Sequence, residues 1–141
     1  MDRQQDLRRL FATVADDLAA YPLLQACLER QFAAALAHDA QALSVCADEI
    51  GALCRRLELS RRERLGAAER LLPAGAELTM AAVLRALPER QREQGERHWL
   101  RLRGMVADCR ELNLRNGQLL QQRRLLLQRV LEGESDVYAA Q

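Results

Sequence analysis

From Arg110 to Leu131 the chain runs RELNLRNGQLLQQRRLLLQRVL. Leu112, Leu119, Leu120, Leu126, Leu127 and Val130 recur at helical spacing, so this stretch predicts an amphipathic helix with one broad apolar face. Such a face constrains the whole fold: other helices must cover it, or it must be offered to a partner. Asn113 and Asn116 lie on or beside the same face and are followed by Gly117. An amide in an apolar stripe costs stability unless its hydrogen bonds are answered. These two therefore set a packing register or receive a partner.

The rest of the chain is also written in helical periods. Apolar residues make up 49% of it and aromatics only 4%, with Leu, Ala, Arg, Glu and Gln dominant, as in long helices. Leu7, Leu10, Phe11, Val14 and Leu18, then Leu24, Leu28, Phe32 and Leu36, predict one helix over 4–37. Pro22 lies inside it and is expected to kink it, because proline lacks the backbone donor a helix interior requires. His38 and Asp39 mark a turn, with Asp39 as the N-cap of a second helix over 40–72. Leu43, Cys46, Ile50, Leu53 and Leu57 form its apolar face, and Pro73, Ala74 and Gly75 stop it. Thr79 caps a short helix over 80–87, and Pro88 suits the start of a long one over 89–132. Gly95, Gly104 and Gly117 soften that helix by roughly 1 kcal/mol each relative to alanine. Gly133 is its expected C-cap, leaving 134–141 as a flexible tail.

The fold class that follows is all-α, in a single domain spanning 1–141. It is an elongated antiparallel helical hairpin, a coiled-coil bundle of about three long helices plus a short connecting helix. Two overlapping seams can be drawn on the last helix. One runs Trp99, Leu102, Val106, Cys109, Asn113, Asn116, Leu120, Arg123, Leu127, Val130. The other runs Leu102, Met105, Cys109, Leu112, Asn116, Leu119, Arg123, Leu126, Val130. The apolar face is thus wider than one helix would cover. Its surplus after Asn116 is a candidate interaction surface, unless the hairpin or a second copy of the chain buries both seams.

Several function classes are excluded. Formal net charge is +1, all 21 basic residues are Arg, and they alternate with Asp and Glu in a solvated, ion-paired pattern. Nucleic-acid binders carry a net basic stripe instead, so no nucleic-acid partner is expected. The opening MDRQQDLRR has no apolar run behind it, and nothing approaches the ~18 residues of a membrane span. Cys27, Cys46, Cys54 and Cys109 form no C-x-x-C pair and fall among helical apolar positions, which reads as buried free thiols in a reducing cytoplasm. No metal or cofactor is implied. There is no nucleophile elbow, phosphate loop or H-E-x-x-H, and His38 and His98 stand alone, so catalysis is not expected.

The run Leu112 to Leu120, an L-N-x-x-N-G-x-L-[LI] pattern inside a long C-terminal helix, resembles the FlgN-type flagellar export chaperones. The junction from Ala35 to Leu43 resembles that family more weakly. The resemblance implies a cytoplasmic chaperone that binds the C-terminal helical segments of hook–filament junction (hook-associated) proteins. It would prevent their premature assembly and deliver them to the flagellar type III export apparatus. In that reading Leu119, Leu120, Leu126, Leu127 and Val130 supply apolar contact, with Arg123 among them, and Asn113 and Asn116 set the register. Tyr138 is the residue onto which the family's docking on the export gate carries over. The competing readings are a self-associating structural coiled coil, with a homodimer, and a helical adaptor of another secretion system.

Overall fold

The computed structural model describes the backbone of residues 2–139 and the side chains of residues 2–132. Four helices follow one another: α1 (Arg3–Leu36), α2 (Ala40–Leu71), α3 (Met80–Arg85) and α4 (Glu89–Ala139). The expected caps are in place. Asp2 accepts from the Gln5 amide at the start of α1, Asp39 from Ala42 at α2, and Thr79 from Ala82 at α3. Between α1 and α2, His38 adopts a left-handed conformation (φ 55°), which lets the Asp39 amide donate back to the Ala34 carbonyl at 3.0 Å. Gly75 (φ 84°) makes the corresponding turn after α2.

α1 runs unbroken through Pro22. The proline lies on the exposed face, while Ala20 and Leu24 on either side are buried. Packing of those flanks holds the helix across the missing donor. At the other end of the chain, α4 continues past Gly133 to Ala139, so the tail expected over 134–141 is helical as far as Ala139. A single glycine costs only about 1 kcal/mol in a helix, and no proline follows it.

The long helices run up, down and up. α2 returns antiparallel along α1, as the pairs Asp6–Arg70, Asp17–Arg64 and Arg30–Glu49 show. α4 then lies on α1 in the same direction: Cys109 Sγ is 3.9 Å from the Tyr21 carbonyl, and Asn116 reaches the Leu28 carbonyl. α4 is therefore parallel to α1, and α2 is the antiparallel arm of the hairpin. A seam of alternating three- and four-residue steps fits both directions, so the sign is set by connectivity. At the lower end α3 and the α2–α3 loop thicken the core, where Leu10, Val14, Ala67, Leu71, Val83, Leu84 and Leu102 pack together. Towards the hairpin tip the core narrows to Leu24, Leu28 and Cys109, flanked by Ile50, Leu53, Leu57 and Leu112. Cys27, Cys46 and Cys109 are buried free thiols, but Cys54 is exposed on α2. Burial pushes the Cys109 thiol up from its ordinary value, with Asp108 adding to the effect.

Polar groups cross the α1–α2 interface inside the core. Arg64 donates to Asp17 at 3.0 Å and to the Thr13 hydroxyl at 3.2 Å, and Ser60 donates to the Thr13 carbonyl at 3.2 Å. The Asp17 side chain is only 4% exposed. A charge so buried persists only when paired. This network fixes how α2 is set against α1, and with it where α4 lands.

Candidate protein-binding face on α4

Burial along α4 follows the second of the two seams. Leu102, Cys109 and Asn116 are buried at seven-residue steps, and Met105, Leu112 and Leu119 are half-buried between them. The seam ends where α1 ends. Asn116 packs against Leu28 and Gln31, and α1 stops at Leu36, so residues of α4 beyond about Arg123 have no α1 beside them. The last 16 residues, Arg124 to Ala139, extend past the hairpin by about 24 Å.

The expected site residues separate along this boundary. Asn116 is 1% exposed, and its amide nitrogen donates to the Leu28 carbonyl and to Gln31 Oε1, both at 2.8 Å. Its oxygen accepts two bonds from Arg115 at 3.2 Å. Every polar atom of this amide is used inside the molecule. Asn116 thus locks the register of α4 on α1, one of the two roles its place in the apolar stripe suggested. Asn113 is exposed and makes no such bond. Arg115 closes the junction: its guanidinium lies 3.7 Å from the centre of the Phe32 ring and 3.3 Å from Glu29. Leu119, Leu120 and Arg123 are half-buried at the mouth of the overhang.

Beyond them the face opens. Leu126, Leu127 and Val130 are 62%, 59% and 53% exposed. Leu131 is 58% exposed and extends the same stripe, one turn after Leu127. It belongs with the expected residues, and the four-residue step from Leu127 was the signal for it. Tyr138 lies outside the residues whose side chains are described.

The stripe is Leu119–Leu120, Arg123–Arg124, Leu126–Leu127 and Val130–Leu131, one pair per turn. Isolated exposed leucines are common on proteins, but a contiguous row of them marks a place where something binds. The fold and this face define a class: an all-α module whose longest helix carries an uncovered apolar row. A family model described as FlgN protein matches residues 1–133, and the chain belongs to the FlgN family, flagellar export chaperones for hook-associated proteins. That family is non-enzymatic. No curated protein and no solved structure matches the chain. No helix among the described residues is long and apolar enough to cross a membrane.

Proposed function

We propose that the overhanging end of α4, from Leu119 to Leu131, is the surface on which this chaperone receives the C-terminal helical segment of a hook-associated protein. The observation that carries the reading is the row Leu126, Leu127, Val130 and Leu131, more than half exposed on a helix that has outrun its own partner. A client helix laid along the row takes the place α1 occupies farther back, in the manner of helix-in-groove recognition. Each leucine it buries contributes of order 1.5–3 kcal/mol before the ordering cost of association. The same cover keeps the client's apolar helix from assembling early. Work in the cytoplasm and delivery to the export gate, with Tyr138 as the docking residue, complete the proposal.

Calorimetric titration with the C-terminal segment of each hook-associated protein from the same organism tests it. Leu126→Asp with Leu127→Asp is the informative variant, because both side chains are exposed and the fold does not rest on them. Saturable one-to-one binding, weakened at least about a hundredfold in a variant of unchanged helicity, is the expected result. Equal binding by the variant would move the client site elsewhere.

A further inference from the structure

α2 and α4 both pack on α1 with their backbones held apart, leaving a furrow of about 710 Å³ that Arg64 crosses to lie 5.4 Å from the centre of the Trp99 ring. Its apolar walls come from Leu65 and Leu78, 39% and 38% exposed, and from the half-buried Val106 and Trp99. Its charged lining is one-sided: Arg61, Arg64, Arg103 and Arg110 against the single carboxylate of Asp17. Two of these cations are already held. Arg61 makes a two-point bond with Glu58 at 2.8 and 2.9 Å, and Arg64 is bonded to Asp17. Arg103 and Arg110 are exposed and have no ion-pair partner among the described residues. They lie seven residues apart, on one face of α4, about 10.5 Å along its axis.

We propose that this furrow is a second docking site, for an amphipathic helix of a partner protein whose apolar stripe is flanked by acidic residues two turns apart. The apolar stripe rests on Leu65, Leu78 and Val106. The acids meet Arg103 and Arg110, whose positions fix the register of the incoming helix. The site is separate from the α4 overhang: Arg110 and Leu126 are 16 residues, about 24 Å, apart. The chaperone can therefore hold two helices at once, one at the overhang and one here. A partner of opposite charge pattern is repelled by the same two guanidiniums.

Trp99 lines the furrow and is the chain's single tryptophan, so its fluorescence reports on this site directly. The probe is a synthetic helical peptide with a leucine stripe and two glutamates seven apart beside it, compared with the same peptide carrying lysines there. The glutamate peptide is expected to shift Trp99 emission saturably in the full-length protein. Arg103→Glu with Arg110→Glu, both at exposed positions, should weaken it at least about tenfold and transfer the preference to the lysine peptide. Leu126→Asp with Leu127→Asp should leave the titration unchanged. Equal binding of the two peptides, no saturable shift, or loss of the signal in the overhang variant would each overturn the proposal.

Discussion

Single residues carry more of this fold than the apolar face implies. Asp17 is buried with Arg64 as its charged partner, and deleting it leaves a mostly buried guanidinium uncompensated. Asp17→Ala should therefore destabilise the protein by about 3 kcal/mol, measured by urea denaturation. A loss under about 1 kcal/mol would mean that Arg64 simply swings out into the furrow. Asn116→Ala removes two amide bonds from a sealed position and should cost about 2 kcal/mol, with α4 losing its fixed register on α1. Glu58 behaves differently because it is at the surface. Hydrogen bonding from Arg61, with Arg62 assisting, holds its carboxyl at about 2, below the ordinary 4.5. A depressed carboxylate stabilises the folded state above its ordinary range and loses that contribution as pH falls through the folded value. The Glu58 cluster should thus persist at pH 4 and separate only towards pH 2. An NMR titration of the Glu58 side chain checks this, and a midpoint near 4.5 would show that the two arginines do not hold it.

At the scale of elements, α4 shows how unlike its glycines are. A Cβ on Gly95 would sit 2.5 Å from Leu84 Cδ2 and 3.3 Å from Phe11 Cε1, whereas Gly104 and Gly117 face open space. Gly95→Ala should lose about 1–2 kcal/mol by overpacking, despite alanine's better helix propensity. Gly104→Ala and Gly117→Ala should each gain about 1 kcal/mol, read as a rise in melting temperature. Gains at all three positions would mean that Leu84 yields without cost. In the sequence all three glycines look alike, as softening residues, because close approach depends on where α3 and α1 come to lie. The same reasoning divides what was legible from what was not. Helical periods, the caps at Asp39 and Thr79 and the apolar row ending at Val130 depend on neighbours within a few residues, and the sequence displays them. Asp17 with Arg64, Asp6 with Arg70 and Asn116 with Leu28 join residues 47 to 88 positions apart. Nothing local marks those polar residues as buried. Asn116 was visible as an anomaly in an apolar stripe, but whether it faced a client or its own α1 depended on where α1 ends.

For the whole molecule, the mismatch between helix lengths is the property on which the proposed function rests. α1 and α2 have 34 and 32 residues and α4 has 51, so the bundle is anchored at one end and runs out of partners at the other. Isolated helices of about 15 residues are marginal in water, because nucleation costs more than a few turns return. Among the described residues, Arg124 to Glu132 of the overhang are all exposed, while Leu102 and Cys109 are buried in the core. Local stability should therefore fall along α4, and amide hydrogen exchange should be slow from Leu102 to Leu119 and fast from Arg124 onward. Adding the C-terminal segment of a hook-associated protein should slow exchange in the overhang by at least about tenfold and leave the core unchanged. A client that only bound elsewhere would not produce that pattern. If the overhang is already as protected as Leu102 in the free protein, the apolar row is covered by a second copy of the chain. Exchange repeated at falling protein concentration would then restore fast exchange as the copies part, and client binding would have to compete with self-association for the same leucines.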